Sequence, residues 1–397
     1  MIRPGKKRIL VVTPRFPYPV IGGDRLRIYE VCKALSQRYS LTLLSLCETS
    51  TELDFPIPND DVFDRVERIM LTKQRSYLNM LMGLAKATPF QVSYYQSDTF
   101  QNAVNRLMLE HDAVLSHLIR CAEYVRHTEK PKFLEMTDAI SLNYSRFRTL
   151  KLSRGLLGIL YDIEAGRLNQ YEKEIVDDFD LSVLVSNIDK NFISNGRDSK
   201  NITVASNGVD FSKFRFVQRT NSRPVIAYIG KMTTVQNMDA CLFFASEVLP
   251  VLRQRVDAVF RVVGHIKAKD ARRLQKFPGV EVAGAVESID EAVRDARIGV
   301  CPIRLAAGVQ NKILEYMALG LPVVCSRIGL EGLSARPDKD LLLADTPHEY
   351  AQQIEKLFSD ENLRADLAHN ARKYVEVNHD WSAKLSPLVE RIDRLLQ

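Results

Sequence analysis

The sequence predicts an α/β protein built from two doubly wound, Rossmann-like domains that face each other across a cleft. Apolar strand-like runs alternate with helical stretches along the chain, and a polar segment at residues 213–223 divides the runs into two series. This alternation predicts parallel sheets with helices on both faces. Glycine, lysine and histidine residues follow several predicted strands, at the sheet edge where ligands of this fold class bind.

The first series predicts a domain over residues 1–212. Its first strand leads to a helix at 23–38, whose apolar side chains recur at helical spacing, and residues 138–177 are expected to be mostly helical. Strands are expected where short apolar runs occur, at residues 8–14, 41–46, 113–116, 132–135, 181–185 and 202–205.

The second series predicts a domain over residues 222–380. Its strands are expected at residues 225–229, 258–263, 280–283, 298–301, 321–325 and 341–343, with helices between them. A last helix, within residues 381–397, follows the second domain. Its position in the chain allows it to pack on either domain, including a return to the first.

Composition and charge exclude several classes of protein. The chain has 397 residues, enough for two cores, and its 46% apolar and 26% charged residues are typical of a globular protein. Neither a signal peptide nor an apolar run of ~20 residues is recognised, and the six cysteines are scattered, so a cytoplasmic protein with reduced thiols is expected. The net charge of +6 fits an anionic ligand or membrane surface. Since no basic stripe is interleaved with aromatic residues, no nucleic acid partner is expected.

Residues 308–324 carry the most specific signal in the chain. Gly308 opens a predicted helix on which Lys312 and Glu315 share one face, and a β-branched strand follows it. The N–H groups and dipole of a helix start favour phosphate, and Lys312 adds a positive charge. Glu315 only accepts hydrogen bonds, which suits the diol of a ribose. The alternative is an amphipathic helix with a solvated lysine–glutamate pair.

Two loops of the first domain are candidates for binding. The pair Gly22 and Gly23 follows the first strand and precedes a helix, so backbone N–H groups there can approach a diphosphate closely. His117 directly follows a strand and should face the cleft. The alternatives are a plain turn before a helix and a partly buried surface histidine.

Three loops involve the second domain or its linker. Lys231 follows Gly230 after a strand and is expected to point at the same phosphate as Lys312, unless it is a solvated lysine. The backbone around Gly284 and Val286 could contact a base edge, or could form only a tight turn. The turn before the linker is a simple turn or a hinge, whose residues are Asn207, Gly208 and Asp210.

In this order, these loops resemble those of the GT-B glycosyltransferases of retaining family 4, the glycosyl transferases group 1. The resemblance spans nearly the whole chain and is strongest in the second domain, which is similar to bacterial sugar transferases linked to exopolysaccharide clusters. The matching pieces are Gly22-Gly23, His117, residues 207–210, Gly230-Lys231, Gly284 and residues 315–324.

The sequence departs from the family pattern at two positions. Ala307 stands where the family usually has the first glutamate of Glu-x7-Glu, so only Glu315 remains of that pair. Asn237 stands where the family commonly has a lysine, and we hypothesise that Lys312 replaces this lost cation. Recognition of the donor sugar should therefore differ from that of typical members.

The resemblance implies transfer of a hexose from a nucleoside diphosphate sugar to an acceptor hydroxyl, with retention at the anomeric carbon. It implies no metal and no cofactor, because lysines and a helix dipole would hold the diphosphate. The candidates for catalysis are His117, Lys231 and Lys312: the two lysines would stabilise the leaving diphosphate, and His117 would position the sugar. The expected donor-binding residues are Gly22, Gly23, Gly230, Gly284, Val286, Gly308, Val309, Gln310, Asn311 and Glu315.

The acceptor is expected on the first domain and is a saccharide or a polyprenyl-linked sugar. Asp138, after the strand at 132–135, is the acceptor-side candidate. The basic and apolar segments 73–86 and 146–161 could contact the inner face of a membrane, or could be core helices edged by charges. Two other functions stay open: a nucleotide-sugar 2-epimerase of the same shape, and a catalytically silent subunit that binds a nucleotide sugar.

Overall fold

A computed structural model describes residues 5–149, 156–197, 199–218 and 223–397. The chain divides into two units, one comprising Met1–Ser206 with Leu385–Gln397 and the other comprising Asn207–Lys384. Each unit contains one parallel sheet whose strands are connected through helices. The predicted fold class, two doubly wound Rossmann-like domains, is therefore confirmed.

The first unit contains a seven-stranded sheet in the order β3-β2-β1-β4-β5-β6-β7. Residues 9–12 of β1 are all 0% exposed, and because successive side chains point to opposite faces, both faces of the sheet are covered. The strands are β1 (Arg8–Thr13), β2 (Ser40–Cys47), β3 (Arg65–Met70), β4 (Ala113–His117), β5 (Lys132–Thr137), β6 (Leu181–Leu184) and β7 (Ile202–Val204). The helices are α1 (Gly23–Ser36), α2 (Ser50–Asp54), α3 (Lys73–Met82), α4 (Phe90–Tyr94), α5 (Asp98–Met108), α6 (Ile140–Thr149), α7 (Leu156–Ile175) and α8 (Asn187–Ser194), with short 3₁₀ turns at Gly83–Ala85, Ile119–Tyr124 and Val176–Asp178.

The edge strand β3 is not predicted from the sequence. Its residues are half-buried, and Arg65 and Glu67 interrupt the apolar pattern that would identify a buried strand. These charges have partners: Arg65 lies 3.3 Å from the Glu110 carboxylate, and Arg106 lies 2.5 Å from the Glu67 carboxylate. An edge strand can be this polar because one side of it has no neighbouring strand to pack against.

The second unit contains a six-stranded sheet in the order β10-β9-β8-β11-β12-β13. Its strands are β8 (Val225–Ile229), β9 (Val259–Val263), β10 (Val280–Gly284), β11 (Ile298–Cys301), β12 (Val323–Cys325) and β13 (Leu342–Leu343). Its helices are α9 (Val235–Phe243), α10 (Leu249–Leu252), α11 (Ala268–Leu274), α12 (Ile289–Ala292), α13 (Asn311–Leu319), α14 (Arg327–Leu330), α15 (Pro347–Ser359) and α16 (Glu361–Asn378), and a π-helical turn, Phe244–Val248, joins α9 to α10.

The last helix, α17 (Trp381–Leu396), begins in the second unit, and its larger part belongs to the first. In the first unit its side chains and carbonyl groups have polar partners. Asp393 accepts hydrogen bonds from Arg38 and Tyr39, and the Leu396 carbonyl accepts one from the Lys7 ammonium. The helix thus contributes residues to both units.

Each sheet has a switch point, where the direction of strand order reverses. In the first unit this point lies between β1 and β4, and in the second it lies between β8 and β11. Ligands of doubly wound sheets bind outside the carboxyl ends of the strands at such points. A ligand site is therefore expected in the loops after these four strands.

Candidate functional site

Three glycines bring the backbone of β8, β9 and β10 close together at the carboxyl edge of the second sheet. Gly230 donates to the Val263 carbonyl at 3.0 Å, and Gly264 donates to the Gly284 carbonyl at 2.7 Å. A Cβ atom on Gly264, which has φ +128°, would lie 2.0 Å from the Gly230 carbonyl oxygen. This edge is consequently lined by backbone, while Val286, two residues beyond β10, is 36% exposed.

Lys312 belongs to a polar cluster beside this edge. Its ammonium lies 2.8 Å from Asn237 Oδ1, which also accepts a hydrogen bond from the Tyr228 hydroxyl at 2.8 Å. The same ammonium is 5.1 Å from the centre of the Tyr228 ring, within cation–π range. Asn237 Nδ2 donates to the carbonyl of Lys231 at 3.0 Å. Asn237 thus links the Lys231 backbone to the Lys312 side chain.

Lys312 and Glu315 differ in their surroundings from a solvated surface pair. Lys312 is only 8% exposed, and Glu315 is half-buried one turn further along α13. Burial raises the pKa of the Glu315 carboxyl to about 7, although the positive charge of Lys312 opposes the shift. The cation is fixed by packing, and the carboxyl can change charge near neutral pH.

The predicted helix does not open at Gly308. Gly308 has φ +69°, and α13 begins three residues later at Asn311, with Gln310 as its N-cap residue. A positive φ is incompatible with a right-handed helix, so the glycine forms a turn before it. Val309, between Gly308 and Gln310, is 8% exposed. The four predicted donor-binding residues from 308 to 311 therefore form a turn and a helix start.

The hinge candidates are held within the second unit. The Asn207 side chain donates to Asn311 Oδ1 at 2.8 Å, and the Asn207 carbonyl lies 2.8 Å from His379 Nδ1. A Cβ atom on Gly208 would lie 2.7 Å from the backbone nitrogen of Trp381. Asp210 accepts hydrogen bonds from the backbone and hydroxyl of the serine two residues further on. The predicted hinge and the predicted donor-binding turn are thus in contact.

In the first unit, the Gly22-Gly23 pair forms the start of α1. Gly22 has φ +101° and is the N-cap residue, and its carbonyl accepts the first helical hydrogen bond. Asp24 stands in the first turn, 3.3 Å from Arg15. Burial raises the pKa of Asp24, but the charges of Arg15 and His117 lower it more, so the carboxyl is ionised. A helix start that already holds a carboxylate attracts a diphosphate less strongly than the Lys312 cluster does.

His117 ends β4 and is part of a buried charge cluster. Its Nδ1 lies 2.8 Å from Glu135 Oε2, and the Arg27 guanidinium donates to Glu135 Oε1 at 3.0 Å. Arg27 and Glu135 are 0% exposed, and His117 is 3% exposed. Burial raises the pKa of Glu135, but the hydrogen bond from His117 and the charge of Arg27 outweigh it and lower the pKa to about 2. The carboxylate is therefore ionised at neutral pH.

Asp138 follows β5 at the same edge of the sheet. Burial, together with the nearby carboxylates of Asp189 and Glu172, raises its pKa to about 8, although Arg120 opposes the shift. Asp189 and Glu172 themselves bind backbone N–H groups at the start of α6. Asp138 is therefore largely protonated at neutral pH and can donate as well as accept a hydrogen bond.

Four charged residues that hold these loops are not identified from the sequence. Arg27 and Glu135 form the cluster around His117, and Arg304 binds the carboxylate of Asp239 at 3.1 and 2.7 Å in the loop that follows β11. The sequence signal for such residues is a charge between two apolar neighbours, as with Arg27 between Leu26 and Ile28. Buried charges are almost always paired, so a charge at such a position predicts a partner of opposite charge.

The predicted membrane segments differ in how far the structure describes them. Segment 146–161 includes residues outside the described parts of the chain. In segment 73–86, five large apolar side chains of α3 and the turn after it are exposed: Tyr77, Leu78, Leu81, Met82 and Leu84. In the described stretches of the chain, no helix is both long and apolar enough to cross a bilayer, and no group of three or more potential ligands is arranged to hold a metal ion.

Comparison with known proteins shows which family and which relatives this chain resembles. Residues 223–360 match the family described as glycosyl transferases group 1. The chain is 21% identical over 400 residues to an uncharacterised 44.6 kDa protein in the cps region of Klebsiella pneumoniae, covering 94% of this chain and 96% of that protein. It is 22% identical over 258 residues to an uncharacterised glycosyltransferase of Methanocaldococcus jannaschii, covering 60% and 63% of the two chains.

Solved structures share the fold over nearly the full length. Sucrose-phosphate synthase from Thermosynechococcus elongatus superimposes with a TM-score of 0.76 at 14% identity, over 98% of this chain and 99% of that chain. Anabaena HepE, crystallised with UDP-glucose, gives a TM-score of 0.67 at 15% identity, over 97% and 99% of the two chains. At these identities the likeness is one of fold, the GT-B arrangement of two Rossmann-like domains.

Proposed function

This chain is a glycosyltransferase whose second unit carries a glycosyl transferases group 1 domain, and we propose that it transfers a hexose from a nucleoside diphosphate with retention. The acceptor in this proposal is a hydroxyl of a saccharide or of a polyprenyl-linked sugar in bacterial surface polysaccharide synthesis. The relative in the Klebsiella cps region supports that setting. The UDP-glucose complex of HepE supports a nucleotide sugar as donor.

The cluster of Lys312, Asn237 and Lys231 is the observation that carries the proposal. Negative charge develops on the leaving diphosphate during transfer, and a cation already fixed in place stabilises it without reorganisation. Lys312 is fixed in this way by Asn237 and the Tyr228 ring. It lies on the first turn of α13, whose N-terminal dipole also favours an anion.

The remaining roles follow from residue chemistry. Glu315, one turn from Lys312, binds the ribose diol when it is ionised. The backbone around Gly230 and Gly284 lets the nucleotide approach without side-chain hindrance. His117 positions the transferred sugar, and Asp138 lies on the acceptor side. The diphosphate is neutralised by lysines in this scheme, so transfer should persist in EDTA.

Donor screening and two lysine variants test the proposal. A thermal-shift and turnover panel of UDP-, GDP-, dTDP- and ADP-sugars identifies the donor. Lys312→Met should then lower turnover by about 10²–10³-fold, because it removes a preorganised charge. Lys356→Met, on the exposed surface of α15, is the matched control and should leave turnover unchanged.

Three results would contradict parts of this scheme. If Lys312→Met turned over the donor normally while Lys231→Met abolished turnover, Lys312 would not replace the cation missing at Asn237. If a donor bound tightly but was neither hydrolysed nor transferred to any acceptor, the chain would be a silent binding subunit. Inversion of the sugar at C2 of the donor would indicate the epimerase.

A lipid-linked acceptor requires contact with a membrane, and α3 offers a surface for it. Leu81 is 59% exposed and Met82 is 53% exposed, and the exposed cations Lys73 and Lys86 flank them. An apolar face with basic neighbours favours an anionic bilayer. The Arg167 guanidinium donates to two carbonyls of the turn after α3, which fixes this surface to α7.

Liposome flotation tests the membrane contact. The protein should float with vesicles that contain anionic lipid, and Leu81→Ser with Met82→Ser should reduce the floated fraction. Leu109→Ser is the control, since Leu109 is 83% exposed on the same unit but outside this surface. Absence of the wild-type protein from the floated fraction, with and without anionic lipid, would remove the membrane contact from the proposal.

A further inference from the structure

Two backbone positions at the carboxyl edge of the first sheet have unfavourable conformations. Leu118, directly after His117, has φ +61° and ψ +154°, a region used almost only by glycine. Thr137, directly before Asp138, has φ +66° and is the centre of a tight turn in which the Asp138 N–H donates to the Met136 carbonyl at 2.9 Å. Such positions are energetically unfavourable and concentrate at functional sites.

One residue, Glu135, holds both unfavourable positions. Its carbonyl accepts the N–H of Leu118 at 2.7 Å. Its carboxylate accepts the Thr137 N–H at 3.2 Å and the Thr137 hydroxyl at 3.0 Å. The same carboxylate lies 2.8 Å from His117 Nδ1 and is neutralised by the Arg27 guanidinium. Glu135 therefore contacts the residue after His117, the residue before Asp138 and His117 itself.

These contacts also determine the protonation pattern of His117. An ionised carboxylate only accepts hydrogen bonds, so the His117 nitrogen that faces it must carry the proton. In the neutral ring the proton is then on Nδ1, and Nε2 is left as an acceptor. A substrate hydroxyl could donate to such an acceptor.

We propose that Glu135 is a positioning residue for glycosyl transfer. It fixes His117 as the Nδ1–H tautomer with Nε2 available to a sugar hydroxyl, and it holds the Thr137 turn that directly precedes Asp138. The tautomer part depends on the first unit alone, whereas the effect on transfer rests on the proposed function. A purely structural ion pair between Glu135 and Arg27 would require neither a defined His117 tautomer nor two unfavourable backbone positions.

The tautomer is measured on the wild-type protein. Long-range ¹H–¹⁵N spectra of the full chain labelled with ¹⁵N-histidine resolve the ring nitrogens, and the spectrum of His117→Gln assigns those of His117. At a pH where the ring is neutral, Nδ1 should give the shift of a protonated nitrogen and Nε2 that of an unprotonated one. The opposite tautomer, or a mixture of both, would overturn the proposal.

Kinetics of Glu135→Gln test the consequence for transfer. In a variant that unfolds cooperatively, kcat should fall at least about tenfold with little change in the donor KM, because the proposed contacts of Lys312 and Glu315 with the nucleotide lie in the second unit. Glu164→Gln is the matched control: Glu164 is also buried in the first unit and accepts two backbone N–H groups at the start of α4.

Each outcome has a defined meaning. An unchanged kcat in folded Glu135→Gln would overturn the positioning role even if the tautomer were as expected. Glu135→Gln can fail to fold, because the buried Arg27 charge is left without its carboxylate. In that case the tautomer measured on the wild-type protein decides whether the proposal stands. If no donor is transferred by the wild-type chain, the proposed function fails while the tautomer measurement still tests the role of Glu135.

Discussion

At the scale of single residues, Lys312 shows how a buried lysine side chain is held in a fixed direction. Asn237, at the position where the family resemblance puts a lysine, accepts a hydrogen bond from the Lys312 ammonium at 2.8 Å. The amide therefore orients a cation that comes from a different helix. This contact supports the hypothesis that Lys312 replaces the lost lysine, and the two-lysine experiment tests it.

Glu315 gives a prediction about pH. Burial raises the pKa of its carboxyl to about 7, and a ribose diol is bound by the ionised form. Donor affinity should therefore rise as the pH rises through 7, and should be about tenfold higher at pH 8 than at pH 6. Calorimetry with a nucleotide sugar measures it, since the phosphates of such a diester keep their charge over this range.

Glu315→Gln is the control for this prediction. The amide cannot ionise, so the variant should bind the donor weakly and with little dependence on pH. If the variant kept the pH dependence of the wild-type protein, another group would be responsible and the ribose contact would lose its support.

At the scale of elements, the carboxyl edge of the second sheet depends on glycines for different reasons. Gly264 allows β8 and β9 to approach, because a side chain there would overlap the Gly230 carbonyl. Gly284 has φ +74° but open space around its Cα atom, so only its backbone conformation requires glycine. The glycine after β9 is thus required because a side chain would not fit there. The glycine that ends β10 is required only because of its backbone conformation.

The two glycines should therefore respond differently to alanine. Gly264→Ala should destabilise the second unit by about 3 kcal/mol or more, because overlap with backbone adds to the strain of a positive φ. Gly284→Ala should cost only about 1–2 kcal/mol, the strain alone. Urea unfolding of both variants measures the difference, and equal losses would show that the approach of β8 and β9 is not limited by Gly264.

At the scale of the whole molecule, the chain passes between the two units twice, near residue 206 and near residue 384. The chain segments next to these two passages contact each other within the second unit. His379 lies 2.8 Å from the Asn207 carbonyl and 3.0 Å from the Tyr374 hydroxyl, and Val209 forms a bridge with Asp380. The buried imidazole therefore joins two segments of the second unit, each next to one of these passages.

This connection should weaken in acid. Burial lowers the pKa of His379 from 6.5 to about 4, although the hydrogen bond with the Asn207 carbonyl opposes the shift. Between these values the unfolded chain binds a proton that the folded chain does not, so stability is present above pH 6.5 and is lost as the pH falls toward 4. From pH 7 to pH 5 the loss from this group should be about 2 kcal/mol.

Denaturant unfolding of wild-type protein and His379→Gln at both pH values measures this contribution. The comparison between the two proteins cancels the contributions of other titrating groups to the pH dependence of stability. Glu135 is one of these groups, and its lowered pKa affects both proteins equally. The variant should be less stable at pH 7 but should lose less stability on acidification. Identical pH dependence in the two proteins would show that His379 is not the titrating group.

Much of the architecture could be predicted because it depends on local pattern. Residues 9–12 and 225–228 read as buried strands, and in the structure they are 0% exposed. The strand β3 could not be predicted, since its charges have partners on other elements. The sequence predicts that α13 begins at Gly308 instead of Asn311, because the pattern does not show that Gly308 has a positive φ.

By itself, the sequence determined the fold class, twelve of the thirteen strands in the described parts of the chain and the segments that carry Lys231, Lys312, Glu315 and His117. Periodicity and residue chemistry are local, so they can be read without coordinates. Only the tertiary structure decided that Asn237 binds Lys312 and that Glu135 joins His117 to Arg27. These contacts join residues that are separated by 75, 18 and 108 positions in the sequence. The order of strands in the sheet decides which buried charges meet at such separations.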